Sequence, residues 1–244
     1  MAALAHSYQA QGRRPEALKL GEQALALCKE KLGPDHPKTL AIMSNLAVSC
    51  HALGRRPEAL RLHEQALALR KEKLGPDHPD TLDSVRRVIE SLLALKRPDE
   101  AQLLIDEGLR LADQAVTKGK TPDPRLKPAL IVHRLGIYLD RKDAEGYRQS
   151  VEMFEKLGRA DAPRLYDAAC YRAVLAGMRS GDAAKAEADR AMAWLTRAVA
   201  AGYKDRAHME KDSDLDALRS REDFRKLLTG LPPKPELLPM PRKQ

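Results

Sequence analysis

Residues 12–37 read GRRPEALKLGEQALALCKEKLGPDHP, and residues 54–79 read GRRPEALRLHEQALALRKEKLGPDHP. Twenty-three of the 26 positions are identical, at an offset of 42 residues. A weaker third copy opens at Lys96, where KRPDEAQLLIDEGLRLADQ keeps Glu100, Ala101, Leu104 and Leu111 in phase. A period in the range of about 20–50 residues marks a stacked array, because each unit buries its apolar face only against its neighbours.

Each period contains the makings of two helices. Over Thr39–Leu53 the apolar positions Leu40, Met43, Leu46, Ala47 and Cys50 advance in steps of 3 and 4, one stripe on a helix. Gly54 ends that helix, since glycine takes the left-handed C-terminal conformation without a Cβ penalty. Pro57 then falls in the first turn of a second helix, where a missing N–H costs nothing. This helix is predicted to run to about Leu74 with Ala59, Leu62, Ala66 and Leu69 inward, and Gly75-Pro76 stops it. The small residues Ala59 and Ala66 let two antiparallel helices approach closely. Asp77 is expected to cap the next helix and Pro79 to start it.

Composition agrees with an all-α chain. Gly and Pro make 30 of 244 residues and 43% of residues are hydrophobic, which excludes collagenous and wholly disordered chains. Aromatics are only 4%, whereas Ala and Leu dominate and 32% of residues are charged, a mixture that loses little side-chain freedom in helices. No apolar run approaches the roughly 20 residues that cross a bilayer. The first residues, MAALAHSYQAQGRR, lack a basic segment ahead of an apolar one. These features predict a soluble chain without a membrane partner. The net charge is +8, split +3 over residues 1–120 and +5 over 121–244, and the basic residues are interleaved with acids. That spread lacks the clustered stripe of a nucleic-acid binder, and stacking aromatics are scarce. Cys28, Cys50 and Cys170 are odd in number, far apart and inside helical patterns, which predicts reduced core thiols in a cytoplasmic protein.

Leu46, Ala47 and Cys50 on the first helix, Ala59, His63 and Ala66 on the second, and the following LGPDHPDTL carry a family resemblance. The chain resembles the tetratricopeptide-repeat (TPR) family, in the 42-residue variety of kinesin light chains and many bacterial regulatory proteins. The likeness is specific over residues 1–115 and loose beyond. The family usually has an aromatic where Cys50 and His63 stand, so this is a divergent copy. The resemblance implies a right-handed superhelix, or solenoid, of antiparallel helix pairs. On this reading residues 1–116 hold three repeats, residues 117–124 a polar break, and residues 125–202 two divergent helix pairs. Residues 203–230 would form capping helices, and residues 231–244 a disordered Pro-rich tail. A shift of 42 sets Met1 opposite Met43, so the first repeat is expected to be truncated. The expectation that follows is a fragment of a longer array, monomeric or weakly dimeric through an uncapped N-terminal face.

In the second half, a helix is predicted over Arg125–Leu139 with Leu130, Ile131, Leu135 and Tyr138 on one face. Another covers Ala144–Leu157 with Tyr147, Val151, Phe154 and Leu157. Asp161 caps a third, with Leu165, Ala169, Cys170 and Leu175 inward, and a fourth spans Ala183–Ala201 with Ala191, Leu195 and Ala198 buried. The segment YKDRAHMEKDSDLDALRSREDFRKLL resembles the closing part of TPR regions attached to bacterial serine/threonine kinases. There Leu215, Leu218, Phe224 and Leu228 would cover the last apolar face.

Candidate chemistry is sparse. Asp35-His36 and Asp77-His78 recur one repeat apart, too far to share an ion, and read as cap and turn chemistry. Asp212, Asp214 and Asp216 begin like a calcium loop, but Ala217 and Asp223 stand where that loop needs Gly and Glu, so they read as helix-capping acids. There is no Gly-rich phosphate loop, no Cys-x-x-Cys and no nucleophile elbow. The expectation is a non-enzyme with no catalytic residues, no cofactor and no metal.

What remains is a surface. The resemblance implies a concave groove lined by first helices, near an Asn two positions after Met43, here Asn45. Ser44, Val48 and His51 share that face by helical spacing, and the next repeat supplies Arg86, Arg87 and Glu90. The truncated first repeat adds His6 and Gln9. Two adjacent arginines suggest an acidic or carboxylate-bearing protein or peptide ligand. The leading functional expectation is a protein–protein interaction scaffold. The alternatives are a regulatory or localising module of a serine/threonine kinase system acting through the C-terminal half, and a fragment without its own ligand.

Overall fold

The computed structural model describes residues 13–158 and 161–232. The expectations for His6, Gln9, the start of the first repeat and residues 233–244 lie outside the described residues. Two compact units divide the chain, residues 1–137 and 138–244. All regular structure among the described residues is helical, and no helix there is long and apolar enough to cross a membrane.

The first unit contains α1 (Arg14–Leu32), α2 (Pro37–Ala52), α3 (Arg56–Leu74), α4 (Pro79–Ala94), α5 (Pro98–Thr117) and the greater part of α6 (Leu126–Asp140). From α1 to α5, each helix packs on the next. The two near-identical sequence copies yield two pairs of equal helix lengths, 19 and 16 residues. Proline in the first turn opens each of these five helices. The predicted stripe is buried throughout, with Leu40, Met43, Leu46, Ala47 and Cys50 all at or below 5% exposure. Small residues recur where helices meet. Ala17, Ala59 and Ala101 occupy one register position and Ala24, Ala66 and Gly108 another, and all are buried. At Gly108 an added Cβ would lie 3.1 Å from both Leu130 Cδ1 and Val85 Cγ1, which shows how closely the neighbours approach.

One capping expectation is corrected. His78, rather than Asp77, caps α4: its Nδ1 accepts from the Asp80 N–H at 3.2 Å, as His36 accepts from the Lys38 N–H at 3.1 Å. Histidine sits at the N-cap position with extended backbone, whereas Asp77 lies one residue earlier and turns into the protein. Gly54 closes α2 at φ +78°, and 42 residues later Lys96 holds the same left-handed turn at φ +57°.

The second unit contains α7 (Ala144–Glu155), α8 (Ala162–Gly177), α9 (Gly181–Ala200), α10 (Arg206–Lys211), a 3₁₀ turn (Ser213–Leu218) and α11 (Glu222–Thr229). Asp161 caps α8 as expected, accepting from the Arg164 N–H at 3.1 Å. The helix α7 stops two residues before Leu157, and α9 starts two residues before Ala183. Leu215, Leu218 and Phe224 close one core with Leu165, Tyr166, Ala169, Ala191 and Leu195, and Leu228 packs partly buried against it. Leu231 is buried in the same core, so the apolar cap extends one residue into the segment expected to be tail.

Candidate peptide-binding surface

Ser44, Asn45, Val48 and His51 all belong to α2, but the helix separates them. Ser44 is buried, and its hydroxyl donates to the Leu40 carbonyl at 3.1 Å. Its donor is satisfied by its own helix, which takes it out of the candidate set for ligand contact. Asn45, Val48 and His51 are exposed, and Val48 is 46% exposed, an apolar spot between two polar ones.

On α4 the candidates sit in an ion-pair network that the sequence reading missed. Asp83 lies three residues before Arg86 and four before Arg87, the two spacings that bring helix side chains together. It accepts from Arg86 Nη2 at 2.7 Å and from Arg87 Nε at 2.8 Å. Burial pushes the Asp83 carboxyl up, but the hydrogen bonds from both arginines outweigh it and leave the group lowered. Arg86 also donates to Glu90. Arg87 spends only Nε, so the outer edge of its guanidinium, Nη1 and Nη2, makes no hydrogen bond to another described residue. Behind the network His63 is buried and shares a 2.9 Å hydrogen bond with Ser91. Burial, then the charge of Arg87, brings His63 down to about 4, so the ring is neutral at ordinary pH.

A recess of about 340 Å³ opens beside these residues, lined by Pro79, Asp83, Arg86, Arg87, Asp123, Arg125, Leu126 and Ala129. One wall is α4. The other is the start of α6 with the loop before it. Asp123 caps that turn, accepting from the Arg125 backbone at 2.8 Å and from its guanidinium at 2.8 Å. Those hydrogen bonds, from the Arg125 side chain first, hold the Asp123 carboxyl down to about 2. His133 on α6 is lowered from the ordinary imidazole value chiefly by burial, with Glu90 opposing and Arg86 assisting. Each wall carries its own pairing, Arg86 and Arg87 with Asp83 on one and Arg125 with Asp123 on the other, and Pro79, Leu126 and Ala129 add apolar lining. The i+3/i+4 spacing of Asp83 was legible in the sequence, whereas Asp123 read only as part of a polar break and Arg125 only as the start of the helix after it.

The chain offers no activated nucleophile among its buried thiols. Cys50 is pushed up by burial, and Cys170 is pushed up by burial and by Asp212. A thiol held protonated is a weak nucleophile. Asp212 is a cap: Oδ1 accepts from the Asp214 N–H at 3.0 Å, while Oδ2 takes the Tyr166 hydroxyl at 2.6 Å. Among the described residues no group of His, Cys, Asp and Glu is placed to hold a metal ion.

Comparison with known proteins bears on this geometry. The family model described as "Tetratricopeptide repeat" matches residues 1–72 and 44–114. No curated protein matches the chain. Among solved structures, a putative kinesin light chain of Podosopora anserina with nearly identical TPR-like repeats superposes with TM-score 0.58 at 23% identity, covering 87% of this chain and 95% of that one. BtubC (BKLC) of P. vanneervenii gives TM-score 0.60 at 16% identity, over 97% of this chain and 83% of that one. At such identities the likeness is one of fold. The repeats at residues 1–114 are thus tetratricopeptide repeats, and the fold of the chain is similar to that of kinesin-light-chain-like repeat structures.

Proposed function

We propose that the chain is a protein–protein interaction scaffold that holds an extended peptide, or one face of a partner helix, along α2 and α4, and that it performs no chemistry of its own. Tetratricopeptide repeats typically serve as interaction scaffolds, which supports the general reading. The specific reading rests on one observation. The outer edge of Arg87 is unspent at the rim of a recess whose other arginines are already paired. A guanidinium edge binds a carboxylate through two parallel hydrogen bonds. The favoured ligand therefore presents an acidic side chain or a C-terminal carboxylate to Arg87, and an apolar side chain to Leu126 and Ala129. The Asn45 amide can hold peptide backbone through both donor and acceptor, and Val48 adds an apolar contact. Because Asp83 already neutralises part of this charge, one well-placed carboxylate suits the site better than a long acidic run.

Selection from a random-peptide library on the whole chain tests this, with an Asn45→Ala/Arg87→Glu variant as the counter-screen. The expected result is a set of peptides sharing an acidic position and lost from the variant while its helical circular dichroism is retained. Peptides selected equally by both proteins would place recognition elsewhere.

A further inference from the structure

We infer that Asp77 is a positioning residue for this recess: through Lys118 and Lys120 it ties the loop that carries Asp123 and Arg125 to the root of the helix that carries Asp83, Arg86 and Arg87. The inference rests on the recess being the binding site, but its structural core can be tested without any ligand.

Asp77 is 4% exposed, an unusual place for a carboxylate unless both oxygens are paired. Both are. Oδ2 accepts from Lys118 Nζ at 2.7 Å and Oδ1 from Lys120 Nζ at 2.5 Å. The two lysines lie 41 and 43 residues further along, in the loop after α5. That loop is fixed at its start by the Lys120 N–H donating to the Ala115 carbonyl, with Gly119 at φ +71°, and at its end by the Asp123 cap. Asp77 supplies the attachment between those ends. It stands two residues before Pro79, where α4 begins and where the recess floor starts.

The preceding repeat shows that this arrangement is particular to the recess. Asp35, the equivalent of Asp77, is 33% exposed at its side chain and, among the described residues, forms its one ion pair with Lys73. A shift of 42 sets Ala115 opposite Lys73, so the third copy has lost the partner that the repeat provides. In its place the sequence TKGKTPDP brings two lysines back to the same carboxylate. The loop that departs from the repeat thus gains a second lysine on its carboxylate, and it is the one that lines the recess. Each lysine keeps part of its length in solvent, 61% of the Lys118 side chain being exposed. The attachment is thus a two-point clamp with a buried anion at its centre.

The test uses the whole chain in four forms: wild type, Asp77→Asn, Lys118→Gln/Lys120→Gln, and Asp35→Asn as the control for loss of a repeat-loop aspartate. Amide hydrogen exchange followed by mass spectrometry reads the loop directly. Asp77→Asn and the double-lysine variant should each raise exchange over residues 118–125 about tenfold, with α2 and α3 unchanged, because local opening reports local stability. Asp35→Asn should leave that segment at the wild-type rate. A peptide selected on the wild type should then bind Asp77→Asn about tenfold more weakly, the scale of one lost charge-assisted contact, and should bind Asp35→Asn normally. Unchanged exchange over 118–125 in both clamp variants would overturn the inference. So would raised exchange with undiminished peptide affinity, since the loop would then be anchored without shaping the site. If the wild type selects no peptide at all, the groove reading fails, while the exchange measurement still decides whether the clamp holds the loop.

Discussion

Lys96 occupies a left-handed turn at φ +57° that glycine fills one repeat earlier, at Gly54. Side chains crowd the backbone there, and glycine does not. Replacing Lys96 with Gly should therefore stabilise the array by about 0.5–1 kcal/mol, the ordinary cost of a left-handed non-glycine residue net of glycine's extra unfolded-state freedom. Urea titration reads this, and a destabilised variant would show that the lysine makes a compensating contact. Asp77 supplies a residue-scale prediction in pH. Hydrogen bonds from Lys118 and then Lys120 hold its carboxyl down to about 2 against an ordinary 3.8. With the native value lower, the unfolded chain binds the proton first, so the clamp's contribution is complete above about pH 5 and fades as pH falls toward about 2. The stability difference between wild type and Asp77→Asn should follow that course, large at pH 6 and vanishing in acid. A constant difference across that window would remove the charge from the explanation.

Within the elements, packing rests on residues too small or too well paired to be replaced. Ala66 is 1% exposed on α3, one of the two positions where helices meet. Ala66→Leu inserts three carbons where there is no space and should cost about 1–3 kcal/mol. In the second unit α8 contributes Arg172, which is 4% exposed and donates to Glu155 of α7 at 2.8 and 2.7 Å and to Glu187 of α9 at 2.7 Å. This one guanidinium joins three helices. Truncating it leaves Glu187, itself 3% exposed, with only the exposed Arg190 as an ion-pair partner among the described residues. Arg172→Ala should lose about 3–5 kcal/mol, the range for a buried charge stripped of its partner, measured as the denaturation midpoint. Arg172→Ala combined with Glu187→Ala should recover part of that loss, because no isolated buried anion then remains at that position.

For the whole molecule, stability is distributed among neighbours in the sequence of helices, as in stacked arrays generally. Each of the two units has its own buried core, and the single tryptophan, Trp194, packs partly buried in the second. Its ring lies under Arg197, 4.1 Å from guanidinium carbon to ring centre. Fluorescence therefore reports the second unit, while far-ultraviolet circular dichroism sums over all helices. The two unfolding curves should separate, since cooperativity in such arrays decays with distance. Coincident curves would show one cooperative block.

The sequence alone determined the period, the helix pairs and the buried stripes, because these depend on local spacing: a 42-residue echo, steps of 3 and 4, and proline and glycine at the ends. It also pointed to Asn45, Arg86 and Arg87 as surface residues on first helices. Only the structure showed that Ser44 turns inward, that Arg87 keeps its outer edge unspent beside Asp83, and that His78 displaces Asp77 as the cap. Asp77 meets Lys118 and Lys120 more than 40 residues away. No local pattern encodes such a pairing, since it arises where a loop returns across a packed helix and a buried carboxylate must find its counter-charge there.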